Sequence, residues 1–182
     1  MNKILSIAAV STIMLFTACS KKETKNIVLQ SSTELQVPSG TPAQSTFEIV
    51  TDEIDYATNA KISEAGFASA DIVSTEVSAF VMEMKNPTER GFGFAHGVDI
   101  YMVADGLPDL KVAYKTDGST TVNTSATMHF NTLYLWRDAA DIKNYILKDK
   151  VKFKLVFQIR RNVIDNVDFS IKPIMTIKAE KD

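Results

Sequence analysis

From Val151 to Ile159 the apolar residues Val151, Phe153, Leu155, Phe157 and Ile159 alternate with Lys152, Lys154, Val156 and Gln158. A period of two is that of a strand with one face in a core and the other largely in water. After the polar-flanked loop 161–166, Val167, Phe169, Ile171, Met175 and Ile177 resume the same period. The two segments are therefore expected to pair as an antiparallel hairpin. Pro173 has no amide hydrogen to donate, which points to a strand with a free edge near the C-terminus.

Earlier segments repeat the pattern less regularly. Val28 to Val37 alternates loosely until Pro38, Gly40 and Pro42 break it, and Phe47 and Ile49 then flank Glu48 as a half-buried strand requires. Residues 59–65 suit a short helix with Gly66 as its C′ residue. From Ile72 to Met84 the apolar positions begin at Val73, Val77, Ala79 and Val81 and later include Phe80, Met82 and Met84. That change of parity predicts a central strand covered on both faces towards its end. Asn86-Pro87 stops it. Val98, Ile100, Met102 and Ala104 alternate next, Asp105-Gly106-Leu107-Pro108 turns the chain, and Leu110 to Tyr114 returns. A further strand is expected over 126–136. Asp138, with Asp141 three residues on, then predicts a capped helix presenting Ile142, Tyr145 and Ile146, with Lys148 and Lys150 at its C-terminal end.

About eight strands separated by turns, with one or two short helices, make the chain mainly β: a two-sheet antiparallel β-sandwich, immunoglobulin-like or related. A small closed barrel is the alternative. The apolar faces are too few and irregular for a transmembrane barrel wall.

The N-terminus departs from this pattern. Asn2 and Lys3 precede an apolar run from Ile4 to Phe16, and the small residues Thr17 and Ala18 lead to Cys19. The run is about two-thirds of the ~20 apolar residues that a spanning helix needs, so it fits a cleaved leader better than a permanent anchor. The stretch resembles the lipobox of bacterial lipoproteins. The resemblance implies that Phe16, Thr17 and Ala18 are read by a dedicated signal peptidase and that Cys19 becomes the lipidated first residue. Phe16 stands where leucine is usual. Each buried CH₂ contributes roughly 0.8 kcal/mol and a single chain holds only reversibly, so stable attachment takes two or three acyl chains. The organisation expected is a signal peptide over 1–18, a lipidated cysteine and polar tether over 19–26, and one domain over 27–182. Met84-Lys85-Asn86-Pro87, Val98-Asp99-Ile100-Tyr101 and Asp105-Gly106-Leu107-Pro108 also resemble small β-sandwich lipoproteins of Gram-negative bacteria, a likeness that implies no activity.

Composition narrows the partners. Of 182 residues, 20 are Lys or Arg and 22 Asp or Glu, so there is no basic excess to attract a phosphate backbone, and nucleic acid is not expected as a partner. Cys19 is the only cysteine, which leaves none for an internal disulfide.

Candidate chemistry is sparse. The only histidines are His96 and His129, with no metal-ligand spacing around them, so no metal or cofactor is expected. No Gly-x-Ser-x-Gly elbow occurs, and Asp138 and Asp141 are explained by a helix cap. The most unusual stretch is Gly91-Phe92-Gly93-Phe94-Ala95-His96-Gly97. Either its phenylalanines tuck into the open end of the sandwich, or Phe92 and Phe94 form an exposed contact patch. Tyr134, Trp136 and Arg137 make a second such patch, Trp136 being equally suited to packing a helix on a sheet. The expectation is a noncatalytic lipoprotein of the outer membrane, held to it through lipid on Cys19 and acting as an interaction or structural module for an envelope protein or glycan. The alternative is a lipoprotein that binds a glycan or small apolar molecule, and an enzyme comes last.

Overall fold

The computed structural model describes residues 22–88, 91–116, 132–138 and 140–181. Phe16, Thr17, Ala18 and Cys19 of the expected lipobox, and His129, lie outside them. The described chain forms two antiparallel sheets packed face to face, a β-sandwich.

The first sheet is built on β11 (Val167–Lys181). One side of β11 pairs with β1 (Glu23–Gln30) and then β2 (Thr33–Val37), and the other pairs with β5 (Ile72–Asn86), which in turn carries β8 (Thr132–Tyr134). The second sheet is built on β10 (Lys150–Ile159). β3 (Thr46–Val50) and β4 (Ile54–Asp55) share one side of β10, while β6 (Ala95–Val103), β7 (Leu110–Thr116) and β9 (Trp136–Arg137) follow in order on the other.

The expected hairpin of the last two strands does not form. β10 and β11 lie in different sheets, and their odd-numbered apolar residues face each other across the core. Phe153 meets Phe80 of β5 edge to face at 5.5 Å, and Phe157 meets Phe169 of β11 likewise at 5.7 Å. The reason lies in loop 160–166, which is pinned across the end of the sandwich. Arg160 N and Arg161 N donate to Phe94 O, Val163 N donates to Thr41 O, and Gly40 N donates to Val163 O. Alternation fixes which face is buried but not which strand lies alongside.

β5 corrects a second expectation. Its buried positions run Ile72, then Thr75 and Val77, then Phe80, Met82 and Met84, yet all belong to one face. Against β11 the register skips Val73, Ser78 and Lys85. Each skip is a β-bulge, which inserts one unpaired residue and shifts parity by one. The apolar residues of mixed parity thus reflect bulges and not burial on both faces.

Pro173 lies in β11, which is flanked on both sides, so it marks no edge strand. Its carbonyl accepts from Ser31 N at 3.5 Å, in the gap between β1 and β2. A residue's N–H and C=O point to the same side of a strand, so the missing donor of Pro173 faces the one place where the ladder is already interrupted. Strand β1 also begins at Glu23, so residues 23–26 extend the sheet and do not belong to a tether. Lys22 pairs with Glu180 at 2.7 Å and Lys181 with Glu23 at 3.2 Å, holding that end of β1 to β11.

Two helices close gaps. α1 (Thr58–Glu64) ends as its sequence requires: Gly66 has φ +86°, Gly66 N donates to Ser63 O, and Phe67 N donates to Ile62 O. This is a Schellman ending, with Phe67 and Ile62 both buried. α2 is a single turn (Lys143–Ile146), later and shorter than expected from Asp138. Asp138 N donates to Val112 O, which keeps that residue with the β7 edge. Asp141 caps the turn by accepting from Lys143 N at 3.0 Å.

Candidate functional site

All pairings in the first sheet orient the sandwich the same way. Glu23, Lys181 and Ile72 mark one end, and Val37, Val167 and Asn86 the other. At about 3.3 Å per residue, β11 sets these ends roughly 45 Å apart. The far end is closed by loop 38–45, residues 91–94 and loop 160–166, and there the glycine- and phenylalanine-rich stretch falls.

Phe92 is fully buried, with its ring edge to face against Phe169 at 5.8 Å. It offers no surface, which corrects the reading of it as an exposed contact. Phe94 is half-buried, with its ring tilted on Phe157 at 5.7 Å and 6.3 Å from Phe92. Gly91 takes φ +52°, a left-handed conformation that glycine adopts without strain, and so lets the chain turn sharply ahead of Phe92.

Beside Phe94 lies a cavity of ≈ 420 Å³, bordered by the backbone of Gly91 and Gly93 and by Arg161, Asn162, Ile164 and Asp165. Ile164 is 67% exposed, a large apolar side chain left in a polar loop. The Asn162 Oδ1 accepts from Ala43 N at 2.7 Å, so its amide NH₂ is directed elsewhere. Arg161 is exposed, and its guanidinium makes no hydrogen bond or ion pair among the described residues. From sequence Arg161 reads as a charged hairpin end, and Asn162, Ile164 and Asp165 carry no signal beyond one isoleucine among polar neighbours.

The second expected patch does not come together at this end. The backbone of Trp136 pairs with Tyr114 in β9, while the side chains of Trp136 and Tyr134 lie outside the described residues. The single strand expected over 126–136 is, where described, two short strands in different sheets: Leu135 N donates to Phe80 O, and the chain then crosses to β7. Below this crossing, a groove of ≈ 1010 Å³ runs between β5 and Arg137, Asp138, Ala140 and Asp141. Its polar rim is already engaged. The Arg137 Nη1 donates to Val77 O at 3.4 Å, Lys143 Nζ to Ile72 O at 2.9 Å, and Thr75 Oγ1 to Asp141 Oδ1 at 2.7 Å. The Thr75 hydroxyl, followed by the Lys143 amide, holds the Asp141 carboxyl below its ordinary value.

His96 is exposed on β6, and among the described residues no three His, Cys, Asp or Glu side chains gather as a metal site. Among them, too, no helix is long and apolar enough to cross a membrane. Compared with known proteins, the chain matches no protein-family model and no curated protein sequence.

Proposed function

We propose that this protein is a lipid-anchored lipoprotein of the outer membrane, whose β-sandwich serves as a noncatalytic interaction or structural module of the cell envelope. The observation that carries this reading is the position of Cys19. It ends an apolar leader too short to span a bilayer, and it stands only four residues before Glu23, where β1 begins. Acyl chains on Cys19 hold the domain at the bilayer, and the short link brings the Glu23 end of the sandwich next to the headgroups. The far end then projects roughly 45 Å away, the direction in which a partner is met.

A second reading, that the domain binds a small ligand, is favoured by one observation, the ≈ 420 Å³ cavity at that far end.

Replacing Cys19 with serine tests the first reading. In cells fed an alkyne-tagged palmitate, the native chain is expected to carry the tag and to sediment with outer membranes, while Cys19→Ser carries none and leaves that fraction. An untagged native chain, or a Cys19→Ser chain that stays with the outer membrane, contradicts lipid anchoring.

A further inference from the structure

We propose that the cavity beside Phe94 is a binding site for an acidic saccharide, a sugar chain bearing carboxylates. The site itself is independent of the lipid anchor; only its placement facing away from the membrane rests on that reading.

The volume, ≈ 420 Å³, falls within the ~300–1,000 Å³ typical of small-ligand sites. Its chemistry is mixed in a particular way. Phe94 is an aromatic platform held in place from behind by Phe157 and Phe92, so presenting it to a ligand costs little ordering. The negative face of an aromatic ring attracts the polarised C–H groups of a sugar ring. Arg161 supplies a guanidinium that matches a carboxylate with two parallel N–H donors. The amide NH₂ of Asn162 is a donor that suits a sugar hydroxyl or ring oxygen. A ring face, a fixed anion and a hydroxyl oxygen in one small molecule describe a uronic acid unit.

The site is also preformed. Phe94 O accepts from both Arg160 N and Arg161 N, and Asn162 ties loop 160–166 to loop 38–45 through Ala43. The three loops are thus fastened to one another, and the side chains stand on a fixed frame. The larger groove along β5 lacks this quality, because the chain's own Arg137, Lys143 and Asp141 already satisfy its rim.

The test uses the mature full-length protein in detergent and immobilised trimers of galacturonate, glucuronate and mannuronate, with the neutral galactose, glucose and mannose trimers beside them. At least one acidic trimer is expected to bind ten-fold or more tightly than its neutral counterpart. Arg161→Gln, at an exposed position, is expected to erase that preference without moving the thermal midpoint, and Phe94→Leu to weaken acidic and neutral trimers alike. Absence of binding by every acidic trimer, equal affinity for acidic and neutral forms, or a preference that survives Arg161→Gln overturns the assignment. Because the assay is done in detergent, its failure is read separately from a failure of lipid anchoring.

Discussion

Asp149 shows how a single side chain joins parts of this fold that lie far apart in sequence. Its carboxylate accepts from Asn59 N at 2.9 Å and from Asn59 Nδ2 at 3.0 Å, capping α1 from 90 residues away. Those two bonds, the backbone one first, hold the carboxyl below its ordinary value of 3.8. The stabilisation is therefore whole above that value and is lost as pH falls through the lower folded one. Asp149→Ala is expected to cost about 1 kcal/mol in urea unfolding at neutral pH. Asp149→Asn should recover most of this, since Asn keeps an acceptor and tolerates the φ of +62° found here, but without the acid dependence. Gly97 is a second case. A Cβ there lies 2.8 Å from Lys115 O, backbone that cannot yield without parting β6 from β7, so Gly97→Ala is expected to cost about 1–3 kcal/mol, read as a lower thermal midpoint. Neither role is legible in sequence, because each depends on a partner supplied by tertiary contact. Gly66 is legible, since a helix ending on a left-handed glycine is a local event.

At the scale of elements, periodicity located the strands and misjudged their partners. The loosely alternating run 28–37 is split at the Ser31 gap, and the Phe47 strand is followed by β4 after Thr51, whose Oγ1 accepts from Phe153 N in place of a ladder bond. The 126–136 strand, where described, is divided between the two sheets at Leu135. These breaks are invisible to a period of two, because they depend on where a neighbouring strand ends. β5 shows the converse: its parity change was plain in the sequence, but bulges and burial on both faces leave the same trace. They differ in consequence. Deleting Ser78 removes only the unpaired residue of the middle bulge, so Val77, Ala79 and Phe80 alternate without a break and Phe80, Met82 and Met84 keep their places in the core. The deletion is expected to keep the sharp near-ultraviolet circular dichroism of the packed core, whereas in a strand paired continuously through Ser78 it would turn those three side chains outwards at roughly 1.5–3 kcal/mol each. A chain that loses that signal contradicts the bulge assignment.

At the scale of the whole molecule, a two-sheet sandwich could be read from composition and alternation, because apolar residues on one face of most strands leave little else to build. The far-end cavity could not be, since it arises where residues 91–94 meet loop 160–166, far apart in sequence, beside Phe94. The proposed address, by contrast, rests wholly on residues 1–19 and owes nothing to the fold. The central claim is that Cys19 is the first residue of the mature chain and carries acyl groups, with the Glu23 end of the sandwich drawn to the bilayer. Intact-mass spectrometry of the protein purified from its native membrane tests this most directly. We expect a chain beginning at Cys19 with the added mass of two or three acyl groups; a mass that retains residues 1–18, or a Cys19 without lipid, contradicts it.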